Sequence, residues 1–305
     1  MQAMVKTLHT IILILFFLQA ICAQPKSSFS AVDTTIYLNI PERPAYAIEG
    51  SDFVTQVTGM SIIDRETAVV REILSGNVPS FSRQLRSLKI SQTVDSEDYE
   101  LIYFVACDYL AIGSDQDYLY IPLTPSTAQY LADYLNCSLP TKKIVDNIYT
   151  NSEIRLSPQP IPPSAEMTTI EVFEQHTDSI KQQFSLLGFD RSAFGIVAGH
   201  KKDIIVSNKI YAPDLSNERV VIYGWHLSEN NPIQPVYNGH IAKYADYSHG
   251  VRLVSDIAFI NGDSIFLDDI LRDPNISILL SSEGVISKPY YPDSKIFTSG
   301  GSHRL

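Results

Sequence analysis

Between residues 196 and 256 the chain alternates short apolar, β-branched runs with polar clusters, and this stretch restricts the fold more than any other. Ile204-Ile205-Val206, Val220-Val221-Ile222 and the run from Val251 to Val254 have the length and branching of strands. The polar clusters between them are Gly199-His200-Lys201-Lys202-Asp203, Tyr223-Gly224-Trp225-His226, and the stretch from His240 to His249-Gly250-Val251-Arg252. Four of the seven histidines and the single tryptophan fall here. Neighbouring strands would carry these clusters to a shared end or face, so the pattern predicts one site built from imidazoles, ammonium groups and phenols.

The rest of the chain sets the frame. Lys6, the apolar run of residues 11–18, and Ala20-Ile21-Cys22-Ala23 before Gln24-Pro25 follow the layout of a secretory signal peptide cleaved after Ala23. That run is shorter than the about 20 apolar residues needed to cross a bilayer, and no later run is longer, so no membrane span is expected. A hydrophobic fraction of 45% argues for a packed core rather than disorder. The net charge of −11 and the lack of a Lys/Arg run exclude nucleic acid as an expected partner. The expected location is secreted or periplasmic, where Cys107 and Cys137 have the choice of a disulfide, two buried thiols, or a reactive Cys137.

Read in order, residues 24–33 are a polar, flexible leader, and residues 34–40 form the first strand. Residues 50–63 have no decisive period, whereas Asp64-Arg65-Glu66-Thr67 opens an amphipathic helix ending at Gly76. Residues 88–93 and 99–107 read as an antiparallel pair, and residues 118–123 as a third strand after an acidic loop at 113–117. That loop is either a turn or a holder of a hard cation. Helices are expected at 126–136 and 140–151, then a proline-rich connector at 157–163, then a long helix at 165–187. His176 lies on the apolar stripe of that helix and reads as a core histidine. A short helix is expected at 265–271. The predicted fold is α+β, a mostly antiparallel sheet with helices packed on one side, in one integrated domain over residues 34–290, with an extended tail at 291–305.

Several passages resemble a group of uncharacterised exported microbial proteins: Asp108-Tyr109-Leu110-Ala111-Ile112-Gly113-Ser114-Asp115, Cys137-Ser138-Leu139-Pro140-Thr141, Gly199 to Asp203, Tyr223 to His226, and Tyr244-Ala245-Asp246-Tyr247-Ser248-His249-Gly250. The resemblance implies one integrated fold and carries no activity with it.

The chemistry must come from the residues. His200, Lys202, His226, His240, Asp246, Tyr247, His249 and Arg252 are the candidate catalytic groups, because imidazoles beside carboxylates suit proton transfer and nearby cations suit developing negative charge. On a strand, alternation would set Tyr244, Asp246 and Ser248 opposite Tyr247 and His249. Lys201, Tyr223, Trp225 and Tyr244 are the candidate substrate-binding groups. The competing reading of every one of these is a satisfied buried polar strand end. Zinc is a candidate cofactor, with His226, His240, His249 and Asp256 as its ligands. The expected function is a secreted hydrolase or lyase acting on an extracellular polymer, cell-wall or polysaccharide material. Two alternatives stay open: a non-catalytic glycan- or envelope-binding protein, and a Cys-His amidase or peptidase with Cys137 as nucleophile at a helix N-terminus.

Overall fold

Strand β1 (Ser28–Tyr37) begins inside the stretch expected to be a flexible leader, because it pairs antiparallel along β2 and so has a ladder to join. The computed structural model describes residues 28–189, 195–213 and 218–292; the expected signal peptide and the end of the expected tail lie outside them. Helix α1 (Gly50–Val57) fills part of the stretch that shows no clear period. Two turns are too few for periodicity to stand out, yet Phe53, Val54 and Val57 are buried. Helix α2 (Ile62–Leu74) starts two residues before the expected position, since the Ser61 hydroxyl caps it by accepting from the Asp64 N–H.

β2 (Gln84–Val94) and β3 (Glu97–Ala106) are the expected hairpin, closed by Asp95 and Ser96, both at positive φ. β4 (Ala111–Gly113) and β5 (Tyr118–Tyr120) make a small ribbon. The acidic loop between them is a turn whose carboxylates tie down neighbours: Asp115 accepts from Ser80, and Asp117 from Ser51 at the start of α1. α3 (Pro125–Tyr134), the short strand β6 (Cys137–Ser138) and α4 (Lys142–Asn151) follow, the last capped by Thr141. β7 (Ile154–Arg155) leads through the proline-rich connector to α5 (Ile170–Leu187).

β8 (Val197–Ala198), β9 (Lys202–Ile204), β10 (Ile222–Ser228), β11 (Asn231–Tyr237) and β12 (His249–Gly250) come from the segment rich in histidine. β13 (Val254–Ser255), β14 (Ile257–Ile260) and β15 (Asp263–Phe266) precede α6 (Leu267–Arg272). The expected helix at 265–271 therefore starts as the end of a strand.

The fold is α+β and mostly antiparallel, but its strands divide among several sheets rather than one. A seven-stranded sheet runs β1-β2-β3-β13-β6, with β14 and β15 attached through β3, and a four-stranded sheet runs β11-β10-β9-β12. Helix α4 lies between the two sheets instead of covering one side. Its Asn147 donates to the Tyr103 hydroxyl of β3, while Asp146 accepts from the Tyr223 hydroxyl of β10. The larger of two apolar clusters runs from Leu38 to Tyr291 through both sheets, and a smaller one gathers Phe81, Tyr109, Tyr118, Tyr120, Ile180 and Phe184. Tyr291 lies beyond the expected domain end at residue 290, and its hydroxyl donates to the Ile205 carbonyl, so the core takes in the first of the residues expected to form a tail.

Cys107 and Cys137 are both fully buried thiols. Cys137 sits on β6, not at a helix N-terminus, and burial followed by the nearby Asp256 carboxylate pushes its thiol well above the ordinary range. A thiolate nucleophile therefore has no support at this position. The folded protein is expected to leave Cys107 and Cys137 unlabelled by a thiol reagent over minutes and to expose both on denaturation; rapid native labelling at Cys137 would count against this account.

Candidate functional site

Cross-strand register, rather than sequence proximity, decides which polar residues meet. Lys202 of β9 pairs with His249 of β12 on one side and with Gly224 of β10 on the other, and Asp203 pairs with Gly250 and Tyr223. Neighbours across a ladder share a face and successive residues alternate, so Lys202 and His249 lie on one face of this sheet and Asp203 and Tyr223 on the other. Gly250 is forced by close approach, since a Cβ there would lie 2.5 Å from Tyr109 and 2.9 Å from Lys201. At Gly224 (φ 113) and Trp225 (φ 59) the backbone enters the left-handed region, and the pairing of β10 with β11 slips. This bulge breaks alternation: Tyr223 and His226 both reach Asp146, while Trp225 packs against His176 and Tyr247.

The first face gathers Lys202, Trp225, His240, Tyr244, Asp246 and His249. His249 is fully buried, and burial, opposed by Asp246 and aided by Lys202, lowers its imidazole to about 4, so it is uncharged at neutral pH. Neither of its ring nitrogens has a hydrogen-bond partner, and the nearest carboxylate oxygen, Asp246 Oδ2, is 4.0 Å away. Burial raises the Asp246 carboxyl, but His249, Lys202 and the hydrogen bonds from Ser248 outweigh it and hold it below the usual range. Its Oδ1 accepts from the Ser248 N–H and hydroxyl, and its Oδ2 from the Tyr244 hydroxyl at 3.2 Å. Residues 244–248 thus form a turn wrapped round Asp246, not the alternating strand expected. The His240 ring stacks on Tyr244 at 4.2 Å, and Tyr244 meets His249 edge-on at 5.9 Å. Burial and then Asp246 push the Tyr244 phenol up to about 12. Lys202 Nζ sits 4.9 Å over the Trp225 ring, its pKa lowered by burial. Lys202, His240 and Tyr244 are partly exposed.

Directly beneath lies Lys201, buried and lowered to about 7 by desolvation. It donates to the Tyr247 carbonyl at 2.6 Å and meets His176 Nδ1 at 3.1 Å. His176 is held strongly neutral by burial and then by the Lys201 charge. The core histidine of the helix stripe thus also touches the site. The Tyr247 hydroxyl points away, donating to and accepting from the Ile161 backbone, so it is not available as a catalytic phenol.

Four expected site residues, Arg252, His200, His226 and Tyr223, belong elsewhere. Arg252 is sealed in the interior: Nη1 donates to the Ala106 carbonyl, Nη2 to the Val197 carbonyl, and the guanidinium lies 4.1 Å over the Tyr109 ring. It stitches β3 to β8 and cannot meet a substrate anion. His200 is buried beside Asp108, Nε2 to Oδ1 being 3.1 Å but out of line for a hydrogen bond, and burial lowers its pKa. His226 stacks on Tyr149 and faces Asp146 at 3.3 Å, on the α4 side of the sheet with Tyr223. Asp146 is held low despite burial by hydrogen bonds from His226, Lys142 and Tyr223.

The four proposed zinc ligands are dispersed as well. His226 is on Asp146, Asp256 accepts from the Ser138 hydroxyl on the other sheet, and only His240 and His249 are neighbours. Among the described residues no three His, Cys, Asp or Glu side chains form a metal-holding group. Asp108 and Asp146, the partners of His200 and His226, were not singled out by sequence reasoning, and His176 was read only as a core histidine, because topology alone joins these distant elements to the strands. Compared with known proteins, the chain matches no family model, no curated protein sequence and no solved structure.

Proposed function

We propose that the chain is an exported acid–base enzyme, a hydrolase or lyase, that cleaves an extracellular polymer where Lys202, His240 and Tyr244 reach the surface. One observation carries the reading: His249 is buried, uncharged and without a hydrogen-bond partner, beside a phenol and an ammonium group. A buried polar atom left without a partner costs about 1–3 kcal/mol, and groups that bear this cost gather where they are used. A neutral imidazole accepts a proton, the Tyr244 phenol, kept protonated, gives one, and Lys202 stabilises negative charge on the reacting group. Asp246 is a positioning residue, holding Tyr244 and the turn before His249.

The test is release of new chain ends from a panel of neutral and acidic polysaccharides and peptidoglycan. Cleavage of at least one class by the purified chain is the expected result. No new ends from any class would overturn the enzyme reading. The stacked His240 and Tyr244 rings favour a second reading, glycan or envelope binding, and retention of a polymer without cleavage would establish it.

A further inference from the structure

The groups left unsatisfied around Lys202 are all able to donate. Trp225 Nε1–H can only donate and has no partner, and one of the two unpartnered nitrogens of neutral His249 carries a proton. The Lys202 ammonium group lies over the Trp225 ring and makes no hydrogen bond to Asp246, whose oxygens accept from Ser248 and Tyr244, although the two charges attract. Trp225 is a non-glycine residue at φ 59, a conformation with a cost of order 1 kcal/mol that elsewhere marks functional positions. A half-buried cation amid unpaired donors is complementary to an anion with several acceptor oxygens.

From this donor set we infer that the polymer carries a carboxylate on each cleaved unit, a uronate, and that the bond breaks by β-elimination rather than hydrolysis. The inference rests on the enzyme reading above and names its substrate class and reaction. Lys202 and the Trp225 N–H take the carboxylate, which makes the adjacent C5–H acidic. His249 removes that proton, and the electron pair it leaves forms the C4=C5 double bond. The C4–O bond then breaks, and the leaving oxygen takes the phenol proton of Tyr244. The proton on His249 returns to Tyr244 afterwards, so the reaction consumes no water and needs no oxidant or cofactor. Hydrolysis at a pair of carboxylates is poorly matched here. Asp246 has both oxygens occupied, while Asp108 and Asp203 are buried among Tyr120, Tyr109 and Arg252.

The experiment incubates the full chain with polygalacturonate and with alginate, each beside its carboxyl-reduced form, and follows both new reducing ends and the ultraviolet absorbance of a conjugated unsaturated uronate. The expected result is ends and absorbance rising together on a polyuronate and neither on its reduced form. Lys202→Gln should lower kcat/KM about tenfold or more, with kcat falling as well as KM rising on the acidic polymer, since Lys202 both binds the carboxylate and stabilises the charge that develops there, and with part of the loss restored by Lys202→Arg. Ends without absorbance, or equal cleavage of a carboxyl-reduced polymer, would overturn elimination on uronates while leaving an acid–base enzyme in place. Absence of ends from every polymer in the wider panel would remove both readings together.

Discussion

Arg252→Leu is expected to lower the unfolding free energy by about 3–5 kcal/mol, the size found when one partner of a buried charge pair is removed. The side chain is fully buried, and its two hydrogen bonds satisfy the Ala106 and Val197 carbonyls at 2.8 and 2.7 Å. Its Nε lies 3.7 Å from Asp203 Oδ1, close enough for charge attraction, and neither atom has a hydrogen-bond partner. Desolvation already raises the Asp203 carboxyl to about 6, with Arg252 the main influence pulling it down. Losing the guanidinium leaves two carbonyls unpaired and forces Asp203 to bind a proton. Against a total of about 5–15 kcal/mol for a typical protein, this threatens the fold itself. Urea unfolding at neutral pH measures it. The double variant Arg252→Leu with Asp203→Leu should recover part of the loss, since no charge is then stranded. A single variant within about 1 kcal/mol of the parent would contradict the structural role given to Arg252.

Arg252 also shows how far the sequence could be read. Its neighbourhood was visible as a dense polar stretch between strands, and the hairpin of β2 and β3, the helix stripe of α5 and the turn at 113–117 were legible because local periodicity and turn residues encode them. Its role was not legible, because Ala106 and Val197 are 146 and 55 residues away in the chain. The same limit split the histidines. His226 and His249 look like members of one cluster, but the bulge at Gly224 and Trp225 turns His226 toward α4, and nothing in a period-two pattern announces a single slipped residue. The turn at residues 244–248 was read as a strand for a related reason. Its Asp246 caps the local backbone through Ser248, a short-range bond that competes with extended structure and leaves hydropathy unchanged.

His249→Ala is expected to reduce turnover on the cleaved polymer by about 100- to 10,000-fold, the range for loss of a positioned acid or base. A structural role for the imidazole would also lower activity, and pH separates the two. In the parent, the rate should fall as pH drops through about 4, where His249 becomes charged and can no longer accept a proton. The residual rate of the variant should lack that limb. Stability responds in the same window, with a definite sign. Burial lowers His249 from an ordinary 6.5 to about 4, so between those values the unfolded chain binds a proton that the folded one refuses. The contribution is complete above about 6.5 and is lost as pH falls through about 4, amounting to about 3 kcal/mol. His176, also held down by burial, adds in the same direction. Asp203 acts the opposite way: raised from 3.8 to about 6, it favours the folded state increasingly as pH falls between those values. Lys201, lowered from 10.5 to about 7, acts in the same direction as His249 but in a more alkaline window, its contribution being complete above about 10.5 and lost as pH falls through about 7. Urea midpoints of parent and variant at pH 7 and pH 4 isolate the His249 part. The variant should be less acid-sensitive by about 3 kcal/mol. An unchanged acid sensitivity together with an unchanged low-pH limb would mean that this imidazole is neither the neutral buried group nor the base.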